Sequence, residues 1–288
     1  MHILSVEQFT RDDLDEYVSR ADYHSRHRST DGQGKILVNL FYEPSTRTSS
    51  SFYAAMVRLR GAVIPINNVA YSSVAKGESL EDTIRTMQCY GDLIVLRHPE
   101  VGAAKRAAAV ASVPIINAGD GIGEHPTQAL LDLYTIRKEI GRINDLHVVM
   151  MGDLLHGRTV KSLALLLRHF GDVRISWVSP DSLRIPEQFR RPDEIETDDL
   201  ASVIADADVL YVTRVQSERH ATSGTYDYSV TEAHMTMAKE QMALMHPLPR
   251  IGEIPGSLDD DPRSAYFRQM TYGLFMRMGI LSKLLRRT

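Results

Sequence analysis

The chain has 288 residues, enough for about two domains of the usual ~100–200 residues each. With 43% hydrophobic and 24% charged residues it has an ordinary globular composition, and a formal net charge of −4 lacks the basic footprint of a nucleic-acid or membrane-surface binder. The single Cys89 excludes an internal disulfide and a cysteine metal cluster, and it fits a reducing compartment.

The opening segment MHILSVEQFTRDDLDEY mixes charge too early for a signal peptide, and no run of about 18 apolar residues occurs. A cytoplasmic protein with no membrane contact is expected. The first apolar run of β type covers residues 36–42 and ends in a short turn. Beyond it Phe52, Ala55, Met56 and Leu59 keep the i, i+3, i+4, i+7 spacing of one buried helix face. Between strand and helix lie Ser45, Thr46, Arg47 and Thr48. A helix N-terminus carries unpaired N–H groups and the positive dipole end, so it attracts anions. One cap needs one hydroxyl. This turn supplies three and a guanidinium, which points to a bound phosphate rather than to capping alone.

A second run, 62–66, leads into the polar loop Ser72-Ser73-Val74-Ala75-Lys76-Gly77-Glu78. Composition alone leaves Lys76 solvated and starts the next helix at Glu78. That helix is expected over 80–90, with Cys89 as a packed thiol. Runs at 93–97 and 113–117 follow; the first ends in Arg97-His98-Pro99 and the second opens into the loop holding His125. Pro126 suits the first position of a helix running from Gln128 to residue 140. His125 is either a plain cap residue or, with Gln128 one turn on, half of a pair that binds a carbonyl and an NH2 group. That helix, followed by the turn 141–145, is the best domain boundary.

The second half repeats the alternation, with strands over 146–151, 173–178, 209–213 and 242–245 and helices over 160–170 and 199–206. A closing helix near 268–285 shows Leu274, Met278, Leu281 and Leu285 on one face. The acids 259–261 before Pro262 read as a solvated loop. Alternating strands and helices imply parallel sheets, and continuous apolar strands imply sheets covered on both faces. The fold class is α/β, as two doubly wound domains, each a parallel sheet of about four strands flanked by helices.

Ligands of open α/β sheets bind at the carboxyl ends of strands. Arg47, Arg97, Arg158 and Arg214 all stand at such ends, so the pocket is cationic in an acidic protein and its ligand carries several negative charges. The stretch Gly152-Asp153-Leu154-Leu155-His156-Gly157-Arg158-Thr159 has P-loop spacing, but Arg replaces the lysine that reaches the terminal phosphates. The competing reading is a turn that aims Arg158 at a carboxylate.

PSTRT, the Ser-Ser-x-x-Lys-Gly-Glu loop, RHP, GEHPTQALLD, GD(x)4GRTV, LYVTRVQ, HPLPR and DPRSAYFRQ occur in the order seen in aspartate carbamoyltransferases, which the chain resembles over nearly its whole length. The resemblance implies carbamoyl transfer from carbamoyl phosphate to L-aspartate in pyrimidine synthesis, in a cleft between two domains. It implies a carbamoyl phosphate domain over 1–130, an aspartate domain over 131–269, and a helix near 270–288 packing back on the first. By motif, Ser45, Thr46, Arg47 and Thr48 would hold the phosphate. Thr48, Arg97 and His125 would grip the carbamoyl oxygen, while Gln128 and the Leu248-Pro249 backbone take the carbamoyl NH2. Arg158, Arg214, Gln216 and Leu248 would bind aspartate. Ser72 and Lys76 would serve a neighbour's site in a homotrimer, Lys76 reaching both substrates. No metal or organic cofactor is implied, and a regulatory chain or other pathway enzymes are possible further partners. Ornithine carbamoyltransferases share the phosphate half but have a cysteine in an HCLP segment and an acidic residue for ornithine. Here the segment is His246-Pro247-Leu248-Pro249-Arg250. Another acceptor, or a catalytically weak structural subunit, are the alternatives. The stretches 179–207 and before Lys35 are shorter than the family pattern, so an element is expected to be trimmed there.

Overall fold

The computed structural model describes residues 1–67, 76–214 and 228–286. It divides into two compact units, Met1–Tyr134 with Thr271–Thr288, and Thr135–Met270.

In the first unit α1 (Arg11–Arg26) precedes β1 (Ile36–Phe41), α2 (Thr46–Arg58), β2 (Ala62–Ile66), α3 (Leu80–Met87), β3 (Leu93–His98), α4 (Ala103–Val110) and β4 (Ile115–Asp120). The strands form one parallel sheet in the order β2-β1-β3-β4. Succession reverses direction between β1 and β3, which makes that pair the switch point. Val38 and Leu40 of β1 and Ile94 and Leu96 of β3 pack on Leu80 and Ile84 of α3 and Ala103 and Ala107 of α4. Phe52, Ala55, Met56 and Leu59 are fully buried, as their spacing predicts. Full burial of each large apolar side chain is worth about 1.5–3 kcal/mol, so this face holds α2 firmly in place.

The chain leaves the first unit within α5 (Pro126–Ile140) and returns within the last helix. The second unit contains β5 (Leu146–Met151), α6 (Arg158–Leu167), β6 (Val173–Val178), β7 (Ile195–Thr197), α7 (Ala201–Ile204), β8 (Val209–Val212), α8 (Glu232–Met237) and β9 (Ala243–Met245). Its parallel sheet runs β7-β6-β5-β8-β9, with the switch point between β5 and β8. Val149, Met151, Leu210, Val212 and Leu244 make one core with Val203, Ile204 and Met235. The sheet has five strands rather than four, because the stretch 179–207 supplies the edge strand β7.

The last helix, α9 (Tyr266–Leu285), is buried nearly all round from Met276 to Leu285 rather than along one stripe. Its buried Lys283 reaches Asp13 at 3.2 Å and Glu16 at 2.8 Å on α1, with its ammonium 4.4 Å from the centre of the Tyr17 ring. A Cβ on Gly279 would sit 3.2 Å from Arg20 Cβ, so α1 and α9 pack closely at this glycine.

Three local expectations need correction. Helix α3 starts after Ser79, whose hydroxyl caps it, and ends at Met87 because the chain turns back to enter β3. Cys89 therefore lies past the helix end and is exposed, its thiol donating to Arg85 O at 3.3 Å. The acids 259–261 are not simply solvated: Asp259 accepts from Arg250 and Tyr266, and Asp261 from Arg263. Among the described residues no helix is long and apolar enough to cross a membrane.

Candidate active site

In the first unit the residues following β1, ending β3 and following β4 lie at one edge, since these strands are neighbours and parallel. Ser45 occupies the N-cap position of α2 but its side chain makes no cap hydrogen bond, and no acid lies in the first turn. Helices α1 and α3, by contrast, have side-chain caps and two acids each in that turn. The positive end of α2 thus has no side-chain cap and no acid in its own first turn, which suits an external anion. Thr46 and Arg47 are exposed there and Thr48 is buried.

Arg97 pairs with Phe41 across the strands, which carries its side chain to this turn. Its Nη1 donates to Ser45 Oγ at 3.4 Å and its Nε to Glu43 Oε2 at 3.1 Å. The neighbouring His98 packs against the Tyr42 ring at 4.5 Å, and its Nδ1 accepts the Glu100 N–H at 3.1 Å. His125 caps α5 through its carbonyl, which accepts from the amides of Gln128 and Ala129. Its ring is buried, with Nδ1 3.4 Å from Thr127 Oγ1. The cap role uses the carbonyl and does not itself engage the imidazole. Gln128 is buried on the first turn of α5. Lys76 is exposed on the connection between β2 and α3; Ser72 lies outside the described residues.

In the second unit the ends of β5, β8 and β9 share one edge in the same way. Gly152 leaves β5 with φ 121°, and a Cβ there would meet Thr213 O at 2.1 Å, so only glycine lets the ends of β5 and β8 approach. Arg158 opens α6 and is buried; Arg214 follows β8 and is half-buried; Gln216 lies outside the described residues. The loop between Gly152 and Arg158 is built around the fully buried Asp153, whose Oδ1 accepts from His156 N at 2.9 Å. A carboxylate turned inward on that amide repels the phosphate that a P-loop would cradle. This geometry favours the turn reading.

After β9, His246 is buried and Leu248 has φ 58°, followed by a cis bond to Pro249. Arg250 is occupied by Asp259 and lies 5.0 Å from the centre of the Tyr266 ring, a structural role within this unit.

Residues 1–138 match the family model for the aspartate/ornithine carbamoyltransferase carbamoyl-P binding domain, and residues 144–284 that for the Asp/Orn binding domain. The chain belongs to the aspartate/ornithine carbamoyltransferase family. It is 45% identical to the aspartate carbamoyltransferase catalytic subunit of Thermoplasma acidophilum, over 98% of this chain and 97% of that one. It is 48% identical to the multifunctional protein CAD of Squalus acanthias over 99% of its own length, but spans only 13% of that relative. The structure of aspartate transcarbamoylase from Trypanosoma cruzi with N-(phosphonacetyl)-L-aspartic acid superposes with a TM-score of 0.93, at 43% identity, covering 98% of this chain and 95% of that one. Other structures of that enzyme hold carbamoyl phosphate and aspartate.

The family motifs left several supporting residues unmarked. Asn39, fully buried in β1, donates Nδ2 to Ser49 O at 3.0 Å and to Ser49 Oγ at 3.1 Å, which fixes the first turn of α2 from beneath. The signal was one amide inside the apolar run ILVNLF. Glu124 accepts from Ser5 Oγ and Val6 N, both at 2.7 Å, and so anchors the residue before His125 to the N-terminal segment. Its partners are more than a hundred positions away, and no local pattern marks them.

Proposed function

We propose that the chain transfers the carbamoyl group of carbamoyl phosphate to the amine of L-aspartate, giving N-carbamoyl-L-aspartate and phosphate in pyrimidine synthesis. The observation that carries this reading is the occurrence of anion-binding residues at both switch points. Ser45, Thr46, Arg47, Thr48 and Arg97 stand beside β1 and β3, and Arg158 and Arg214 follow β5 and β8. Both substrates are small polyanions, and each unit offers the residues for one.

In this reading the α2 amides with Ser45, Thr46, Arg47 and Thr48 hold the phosphate. Thr48, Arg97 and His125 surround the carbamoyl oxygen, where negative charge develops as the aspartate amine attacks the carbonyl carbon. The bond from that carbon to the phosphate oxygen then breaks, its electron pair leaving with phosphate, which accepts the amine proton. Gln128 and the Leu248-Pro249 backbone take the carbamoyl NH2. Arg158, Arg214, Gln216, Lys76 and Leu248 bind aspartate. Carbamoyl phosphate is already an activated acyl donor, so positioning and preorganised charge are the catalytic means required.

Arginine at position 214, rather than an acid, and the absence of cysteine from HPLPR support aspartate over ornithine as acceptor. The assembly in this reading is a homotrimer in which Lys76, exposed on its own chain, and Ser72 enter a neighbour's site. Association with other enzymes of the pathway is supported by the multifunctional relatives, and a cytoplasmic setting by the lone Cys89. The test is product formation by the purified chain from carbamoyl phosphate with aspartate or ornithine. Carbamoyl aspartate is expected and citrulline is not; the reverse, or neither product, overturns the proposal.

A further inference from the structure

If Gln128 contacts the carbamoyl NH2, its amide must face that group with oxygen, because two N–H donors cannot pair. The next turn of the same helix decides the orientation. Asp132 is fully buried, and its Oδ1 accepts from Gln128 Nε2 at 2.9 Å. An ionised carboxylate only accepts, so reversing the amide would set oxygen against oxygen.

A lone buried carboxylate tends to neutralise by taking a proton, but a cation accompanies this one. Arg277 of α9 is also buried; its Nη1 donates to Ser51 Oγ at 2.9 Å and its guanidinium lies 5.2 Å from the centre of the Phe52 ring. A Cβ on Gly273, one turn earlier, would lie 3.1 Å from both Arg277 Nη1 and Leu131 Cδ2, so α9 packs on α5 beside Asp132. Burial lowers the Arg277 pKa to about 10, against the attraction of Asp132, so the guanidinium stays charged at neutral pH. Ser51 and Phe52 belong to α2, the helix whose N-terminus carries the candidate phosphate turn. Arg277 thus contacts α2 through Ser51 and Phe52, while its charge is attracted by Asp132, the acid that orients Gln128.

We propose that Asp132, compensated by Arg277, is a positioning residue that fixes the Gln128 amide with its oxygen toward the carbamoyl NH2, so that the site selects a carbamoyl group over an isosteric acyl group. This rests on the role given to Gln128 above. The chemical contrast is NH2 against CH3: acetyl phosphate has the same phosphate and carbonyl but cannot donate to the Gln128 oxygen.

The experiment uses carbamoyl phosphate as substrate, with acetyl phosphate and inorganic phosphate as competitive inhibitors. Discrimination is the acetyl phosphate Ki divided by the carbamoyl phosphate KM. In Asp132→Asn the residue at 132 can donate as well as accept, so Gln128 is free to turn over. Discrimination is expected to fall roughly tenfold, the scale of one net hydrogen bond, while the Ki for inorganic phosphate stays within about twofold. A purely structural role would weaken all three ligands together, and that result overturns the proposal. Because Asp132→Asn leaves Arg277 uncompensated, the double variant Asp132→Asn with Arg277→Met removes both charges and is expected to show the same loss. Gln128→Ala separates the two layers. If it lowers discrimination and neither Asp132 variant does, the positioning role fails alone; if it leaves discrimination unchanged, the reading of Gln128 fails and the proposal with it.

Discussion

The Leu248 backbone amide donates to His246 Nδ1 at 2.8 Å, so that ring is the clamp of its own loop. With Nδ1 accepting, the proton sits on Nε2, where Glu253 Oε1 lies 2.7 Å away. The clamp holds Leu248 at φ 58°, an unfavourable backbone for a leucine, beside the carbonyl assigned to the carbamoyl NH2. His246→Ala removes one hydrogen bond from each group, and a hydrogen bond to a charged group contributes about 1.5–3 kcal/mol. The Tm should fall and the KM for carbamoyl phosphate should rise. Unchanged values in thermal unfolding and steady-state assays would remove the clamp.

Arg47→Ala should leave the fold intact, because Arg47 is exposed and lies outside the buried apolar face of Phe52, Ala55, Met56 and Leu59. Turnover should drop by roughly 10²–10³, the loss expected when one preorganised donor is removed. A near-normal kcat with unchanged circular dichroism would refute the phosphate role.

Arg214→Ala should raise the KM for aspartate roughly tenfold to a hundredfold, the worth of a charge-assisted contact to a carboxylate. The KM for carbamoyl phosphate should change little. Equal effects on both constants would count against assigning the two substrates to different units.

Stability should fall as pH drops below the ordinary imidazole value of 6.5. Burial lowers the pKa values of His24, His98 and His147, the last further depressed by Arg174 against the pull of Asp206. The unfolded chain therefore binds protons first, and linkage makes stability decline from about pH 6.5 downward. Glu253 acts lower: burial raises its pKa, but hydrogen bonds from His246 and the Ile251 amide outweigh this and leave it below 4.5. Its contribution is present above that value and is lost only as pH falls through the depressed one. The difference in Tm between pH 7.5 and 6.0 should shrink in His147→Asn; an equal difference would assign the slope elsewhere.

Lys76→Ala and Arg47→Ala chains should each be nearly inactive alone. In mixed trimers some head-to-tail interfaces would join an intact Arg47 to an intact Lys76, so activity should partly return. Folded mixed trimers without recovery, or a fully active monomer, would show that each site is made within one chain.

Much of this architecture is legible in the sequence because the strands are continuous apolar runs and the chemistry sits where they end. The turn at Ser45–Arg47 and the arginines at 97, 158 and 214 are local signals. What the sequence hid depends on distant partners. The face Leu14, Tyr17, Val18 and Ala21 of α1 is buried, but the surrounding charges obscured it. The strand β7, three residues with no apolar run, exists because it pairs with β6. Lys283 and Arg277 look like surface residues until α1, α2 and α5 surround them. Asp132 reads as the polar break of an apolar helix, and only its hydrogen bond reveals what it orients.

The excursion of the chain through the second unit sets an order of synthesis. On the ribosome, α1 and the first sheet emerge early, yet the partners of Tyr17, Asp13 and Ser51 lie on α9, made more than two hundred residues later. The half that starts first finishes last. A nascent chain halted before residue 271 would hold a completed inserted module beside an N-terminal half with an uncovered apolar seam, the surface that chaperones and proteases recognise.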